Sequence, residues 1–322
     1  MKLAPLVLLA VLCAMRAAQA QPYPSRPITI TVTAAAGGVT DVVARAIGQR
    51  LMAQWGQQVV IENKGGGAHV VGAQSVATAV PDGYSLLIAE AGTFVFNPIL
   101  YGKLPYDAEK DFAPVSGIVR INQALIGHPS LPARTVDELI ALAKQKPGVL
   151  TYGTAGIGSA THMNMVLFAH MAGVQLQAVH YRGAAPALTD VIAGHLKAMC
   201  VSVSLALPAA RAGQAIMFGI GSRKRLATAP DVPTVAESAL PGYEASAWFG
   251  LFAPAGTPPQ IVGKLNAELM RILSEPAFNE QFLAPQMFEP IASAPQEFAD
   301  FIAGEKSKWA SVIREQNLSI EK

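Results

Sequence analysis

Residues 28–51, ITITVTAAAGGVTDVVARAIGQRL, run from an alternating β-branched segment through Gly37-Gly38 into a helical pattern. Val43, Ile47 and Leu51 fall on one face of that helix. Residues 149–168, VLTYGTAGIGSATHMNMVLF, repeat the grammar: an extended apolar segment, small residues with two glycines, hydroxyl residues and a helix. One chain with two such strand-to-helix corners predicts two similar sheets, one beginning at Ile28 and the other containing Leu150.

The pattern between and beyond the corners alternates in the same way. Strands are expected at Ile28–Thr33, Gln58–Glu62, Ser85–Ala89, Ala124–Gly127, Leu150–Gly153, Gln177–Tyr181, Ala198–Ser204, Ile216–Ile220 and Phe249–Ala253. Several are apolar on both faces, as strands covered by helices on each side should be. Thr135-Val136-Asp137-Glu138 has capping-box spacing and Pro147-Gly148 stops that helix; Thr257-Pro258-Pro259-Gln260 reads as a second box. Ser293-Ala294-Pro295-Gln296 opens a last long helix whose stripe includes Phe298, Phe301, Ile302 and Trp309. The fold class is α/β with mainly parallel sheets, and ligands of such sheets lie beyond the carboxyl ends of the strands.

The chain opens with MKLAPLVLLAVLCAMRAAQA, a charged start, a short apolar run and Ala18-Gln19-Ala20. This is the pattern of a secretory signal peptide over residues 1–20, cleaved after Ala20 and too short for a membrane span. A lipoprotein site at Cys13 is the alternative, although Leu12 precedes it where a small residue is usual. Removal of the leader leaves Cys200 as the one cysteine of two, so no intramolecular disulfide forms. It also removes two of the 24 basic residues and none of the 22 acidic ones, leaving a mature chain without net charge. That balance speaks against nucleic acid or an anionic membrane as partner. About 300 mature residues predict two domains and an ample core.

Each corner is a potential anion site. A helix N-terminus leaves its first N–H groups unpaired and carries partial positive charge, and glycines let a ligand approach the main chain. Thr40 and Asp41 are expected to supply capping oxygens at the first corner; Thr154, Ser159 and two glycines form the second. The structural alternative is that any strand-to-helix turn needs small residues. The second corner misses G-x-G-x-x-G because Thr161 occupies the last glycine position, and neither corner is followed by G-K-[ST]. No cofactor and no metal are expected. Catalysis finds little support either: there is no G-x-S-x-G elbow or H-E-x-x-H, and Cys200 sits in an apolar strand pattern.

Longer stretches carry a resemblance. YPSRPITITVTAAAGGVTDVVARAIGQRL, VVIENKGGG, VATAVPDGYSLLIA, NPILYGKLPYDAEKDFAPVS, VHYRGAAPALTDVIAGH and PDVPTVAESALPGYEASAWFGLFAPAGTP resemble, in order, the solute-binding receptors of tripartite tricarboxylate transporters, the Bug family. The resemblance implies a two-domain periplasmic-binding-protein fold of the Venus flytrap kind, with domain 1 at 22–125 plus 246–322 and domain 2 at 126–245. It implies a monomer that closes on a small carboxylate, a dicarboxylate or aromatic acid, and delivers it to the membrane components of such a transporter. A sensor kinase reading the closed state is the alternative partner.

Carried over onto this sequence, the resemblance implies a binding site of Ala36, Gly37, Gly38, Thr40 and Asp41 from the first corner. Thr154, Ala155, Gly156, Gly158 and Ser159 come from the second, Arg182, Gly183 and Ala184 from a further cleft loop, and His69, Thr93 and Ser202 complete it. Asp41 is expected to hold loop or water geometry rather than touch an anion. Arg182 reads either as a carboxylate partner or as a surface ion pair, and His162 either as a packing group or a ligand contact. Two departures bear on the ligand. His69 and Val70 stand where glycine is favoured, so His69 either meets the ligand's far end or has no role. Met199-Cys200-Val201-Ser202 stands where Met-Phe-Asp-Ser is common, which weakens the case for an ammonium-bearing ligand. Phe94 and Phe96 are read either as core or as a surface for stacking an aromatic acid.

Overall fold

The computed structural model describes residues 23–34, 36–65 and 69–315; the expected signal peptide lies outside them. Ten strands alternate with helices: β1 Ile28–Val32, α1 Val39–Trp55, β2 Val59–Asn63, α2 Val70–Ala77, β3 Ser85–Glu90, a π-helical turn Gly92–Phe96 running into α3 Asn97–Leu100, and β4 Phe112–Gly127. Then come α4 Val136–Gln145, β5 Thr151–Thr154, α5 Ala160–Ala172, β6 Gln177–His180, α6 Ala184–Ile192, β7 Ala198–Ser202, α7 Val203–Arg211 and β8 Ile216–Ile220. The chain closes with α8 Val235–Ser238, β9 Ser246–Pro254, α9 Pro259–Ser274, α10 Pro276–Phe278, β10 Phe288–Pro290 and α11 Pro295–Glu315.

The strands follow the order β2-β1-β3-β9-β4-β7-β5-β6, with β8 and β10 also paired to β4. The outer three strands on each side, β2-β1-β3 and β7-β5-β6, are parallel, as expected. Both β9 and β4 run antiparallel to their neighbours. One long strand joins the two sheets: β4 pairs with β9 and β10 through Asn122, and with β7 and β8 from Gln123 onward. The sequence pattern had revealed only its last four residues, because Pro114 and Gly117 break the apolar alternation. Register shifts between Pro114 and Ser116 and between Gly117 and Val119 absorb both residues as irregularities against β9.

Alternation sorts side chains onto two faces. In the first sheet Ile28, Ile30, Leu86, Ile88 and Leu251 pack against Val43, Ile47 and Leu51 of α1 and Leu265, Leu269 and Ile272 of α9. Leu87, Ala89 and Phe252 face the other way, onto Ala73 and Val76 of α2 and Phe298 of α11. That second core continues without a break into the other sheet, through Leu125, Cys200 and Tyr152 to Met163 and Phe168 of α5. Trp309, 2% exposed, sits edge-on against Phe96 at 4.9 Å between ring centres. The two sheets share this core.

The helix caps separate sound local reading from unsound. Thr135 and Glu138 form the expected reciprocal box, with backbone-to-side-chain distances of 3.2 and 3.3 Å. The second expected box is not formed. Pro258 is the N-cap of α9, and the Thr257 hydroxyl instead donates to the Pro254 carbonyl at 2.8 Å. The helix begins at Pro259, so Thr257 falls one residue before the N-cap.

Candidate ligand-binding site

Both corners lie at the carboxyl ends of parallel strands, and each is held rigid by its own side chains. In the first, the chain leaves β1 through Thr33 and Ala34, with Ala36 and Gly37 exposed, and Gly38 is the N-cap of α1. Asp41, two residues into the helix and 3% exposed, reaches back to accept the Gly37 N–H at 2.9 Å. Arg45 grips the same carboxylate with Nε at 3.0 Å and Nη2 at 2.9 Å, and Nη2 also reaches Asn63 Oδ1 at 3.2 Å. Burial alone would raise the Asp41 pKa; the Arg45 hydrogen bonds and the Gly37 N–H outweigh it and hold the carboxyl below its usual range. Asp41 thus organises the loop, as expected. Thr40 is buried on the first helical turn and does not supply the expected capping oxygen: the N-cap is Gly38, and the helix has no side-chain cap.

The second corner is stitched by hydroxyls. Ser159 caps α5, accepting the His162 N–H at 3.3 Å while its own hydroxyl donates to Gly156 O at 2.7 Å. The Ala155 N–H goes to Thr161 Oγ1 at 2.7 Å, and the Gly156 N–H to Thr154 Oγ1 at 3.2 Å. Thr161 is therefore a structural part of this corner that its place in a failed glycine motif concealed. His162 is buried, with Nδ1 accepting the Gly158 N–H at 3.3 Å. Desolvation first, and then the neighbouring His180, lower its pKa to about 4. The packing role is thus the one His162 fills.

Gly92 lies beside His69 and the second corner. A β-carbon placed on Gly92 would stand 2.9 Å from His69 Cδ2 and 3.4 Å from the Gly158 carbonyl, so the first turn after β3 fits between them only as glycine. One placed on Gly158, whose φ of +73° itself favours glycine, would stand 3.4 Å from Asn97 Oδ1. On the first-corner side, His69 takes a left-handed backbone at the N-cap of α2, with Nδ1 2.9 Å from the Thr33 carbonyl and Nε2 3.2 Å from Glu90 Oε1. The expected hydrogen bond from His69 to a ligand has no free ring nitrogen to make it. On the other side, Gly156 approaches the Tyr181 carbonyl.

Arg182 follows Tyr181 and is exposed, and it has no hydrogen bond or ion pair among the described residues. The nearby Asp190 is instead engaged by the Tyr181 hydroxyl and by His195. The surface ion pair considered for Arg182 is thus not formed. Gly183 and Ala184 open α6 beside it. Ser202 ends β7, buried, in register with Gln123 and 3.2 Å from the Ser204 hydroxyl. Thr93 is fully buried in the π-helical turn, and the hydroxyls of Thr33 and Thr93 have no protein partner among the described residues. Phe94 stacks on Phe252 at 3.8 Å and Phe96 packs on Trp309, so both serve the core rather than a stacking surface. Cys200 is 1% exposed, and burial pushes its thiol up to about 12.

Glu90, Thr33, Asn63 and Thr161 escaped sequence reading. Their only signal was position: Thr33, Asn63 and Glu90 at the carboxyl ends of strands, and Thr161 in the first turn of α5. No group of three or more His, Cys, Asp or Glu side chains among the described residues is placed to hold a metal.

Comparison with known proteins agrees with this architecture. BugT of Bordetella pertussis is 33% identical over 303 residues, covering 94% of this chain and 93% of that protein. Among solved structures, the R. palustris protein Rpa4515 with adipate superposes with a TM-score of 0.85 at 33% identity, covering 92% of this chain and 99% of that one. MatC from Rhodopseudomonas palustris with bound malate gives a TM-score of 0.81 at 34% identity, covering 90% and 100%. The α/β periplasmic-binding-protein fold is common to them. Residues 43–318 match the tripartite tricarboxylate transporter family receptor, and the chain belongs to that family.

Proposed function

We propose that this protein is a periplasmic receptor that captures one small organic carboxylate between its two glycine corners and delivers it, as a monomer, to the membrane components of a tripartite tricarboxylate-type transporter. The observation that carries the reading is that Gly92 lies beside both Gly158 of the second corner and His69, which is tied to the Thr33 carbonyl where the chain leaves β1 for the first corner. Unpaired N–H groups and partial positive charge at the helix N-terminus of each corner suit a carboxylate. Arg182, without an acidic partner, is available as a third, cationic contact. The remaining contacts in this reading come from Ala36, Gly37, Gly38 and Thr40, from Thr154, Ala155, Gly156, Gly158 and Ser159, and from Thr93, Gly183, Ala184 and Ser202. Asp41 and His69 hold the loops. Two relatives solved with adipate and malate support a carboxylate ligand. Dicarboxylates and aromatic acids, the two kinds the resemblance implies, both present the group the corners would hold.

In this reading residues 22–125 and 246–322 form one domain and 126–245 the other. The passage of β4 between sheets at Asn122–Gln123 and the start of β9 at Ser246 support those limits. Two strand crossings make a hinge, and a ligand touching both corners favours the closed form by its differential affinity. The leader over residues 1–20 directs export.

The test is thermal unfolding of residues 21–322, stripped of carried-over ligand by unfolding and refolding, against C4 to C6 dicarboxylates, hydroxy and amino acids, nicotinate, benzoate and terephthalate. A ligand at a thousand times its Kd stabilises by about 4 kcal/mol, which is several degrees in a chain of this size at roughly 2–4 °C per kcal/mol. A shift from one acid that is recovered chemically unchanged supports the receptor; no shift from any contradicts it.

A further inference from the structure

The side chains of His69 and Glu90 are 16% and 12% exposed, and they meet at 3.2 Å beside Gly92. Proton counting fixes what this pair can offer. The Thr33 carbonyl, 2.9 Å from Nδ1, can only accept, so Nδ1 carries a proton. Nε2 faces Glu90 Oε1, and a contact between two acceptors needs a proton as well. That proton sits on the ring, giving an imidazolium–carboxylate pair, or on Glu90, giving a neutral imidazole with a carboxylic acid. In both states the ring has no N–H left to give. In both states Glu90 keeps an oxygen that receives no hydrogen bond from another described residue. The capacity left at this point of the cleft is therefore that of an acceptor.

We propose that Glu90 sets the far end of the ligand: the cleft selects a monocarboxylate whose other end carries a hydrogen-bond donor, a hydroxyl or an ammonium, and discriminates against a second carboxylate. The proposal rests on the carboxylate-receptor reading above. An ammonium or hydroxyl donates to the free oxygen of Glu90, whereas a second carboxylate brings only acceptors to a point that in both states offers only an acceptor. Glu90 is two residues from Gly92, where an added β-carbon would stand 3.4 Å from the Gly158 carbonyl.

The test measures Kd by titration calorimetry for three matched series: succinate, 4-hydroxybutyrate and 4-aminobutyrate; glutarate, 5-hydroxypentanoate and 5-aminopentanoate; adipate, 6-hydroxyhexanoate and 6-aminohexanoate. In the series of best-fitting length, the hydroxy or amino acid is expected to bind at least tenfold more tightly than the diacid. Glu90→Gln keeps a partner for His69 Nε2 and adds an amide N–H that a second carboxylate can accept, and is expected to shrink that ratio at least tenfold; Glu90→Asp, which keeps a carboxyl group, is expected to retain a preference. A diacid that binds the unaltered protein as tightly as its partners overturns the proposal and leaves the receptor reading intact. A ratio unchanged in a folded Glu90→Gln protein also overturns it. Binding of none of the nine acids, with terephthalate, benzoate and nicotinate also silent, overturns the carboxylate reading and this inference together.

Discussion

Acid should destabilise this protein through one ring at the second corner. His162 is 7% exposed, lies 5.0 Å from His180 between ring centres, and uses Nδ1 to accept the Gly158 N–H. Burial, then the charge of His180, lowers its pKa from 6.5 to about 4. The unfolded chain titrates at the ordinary value, so between pH 6.5 and 4 it binds a proton that the folded chain refuses. Stability from the neutral ring is thus fully present above pH 6.5 and lost as pH falls toward 4. At 1.36 kcal/mol per pKa unit the complete loss is about 3 kcal/mol, of which about 2 kcal/mol has gone by pH 5. Protonation also ends the acceptor role of Nδ1, so the loop carrying Gly158 loosens with the same titration. The assay is urea unfolding at pH 7.5 and 5.0 for the protein and for His162→Asn, whose Oδ1 can replace Nδ1 as acceptor for Gly158. The variant should lose about 2 kcal/mol less than the parent over this interval. His180, shifted in the same direction by its own desolvation, remains in both proteins and cancels. Equal losses, within about 0.5 kcal/mol, would refute the burial argument.

Three further outcomes follow from the packing. Gly92→Ala drives a methyl to 2.9 Å from a His69 ring tethered at both nitrogens, so it should cost about 1–3 kcal/mol and weaken binding of any cleft ligand; a neutral effect in urea unfolding and calorimetry would show that His69 is not held. Trp309→Ala removes the large side chain of α11 from the core shared by both sheets and should cost about 3–5 kcal/mol in the same unfolding assay, with a loss under 1 kcal/mol contradicting its place there. Cys200 should resist a thiol reagent such as Ellman's in the folded protein and react stoichiometrically in denaturant, because its thiol is buried and its pKa is pushed up to about 12; prompt reaction of the folded protein would contradict both.

What the sequence made legible was local. The two corners announce themselves because a glycine pair, hydroxyls and an amphipathic helix are all read within one short window, and Thr135–Glu138 caps α4 because its partners are three residues apart. What escaped depends on contacts distant in sequence. The length of β4 is set by pairing with β7, β8, β9 and β10, which rescues a segment that Pro114 and Gly117 make unlike a strand. Glu90 lies one residue beyond the strand expected at Ser85–Ala89, and its meaning comes from His69, twenty-one residues earlier. His69 itself was read as a free ring, since no pattern could reveal that the Thr33 carbonyl and Glu90 occupy both nitrogens. The capping reading at Thr257 failed for a local reason, the start of the helix at Pro259, one residue later than the box requires.

The central claim is that both corners grip one carboxylate, and a crystal structure with the acid that gives the largest thermal shift tests it most directly. The account predicts a single carboxylate group between the Gly37–Thr40 turn and the Thr154–Ser159 turn, within hydrogen-bonding reach of groups from both, directly or through one water, and with Arg182 turned toward it. A ligand held by one sheet alone, or seated away from Gly92, would contradict it.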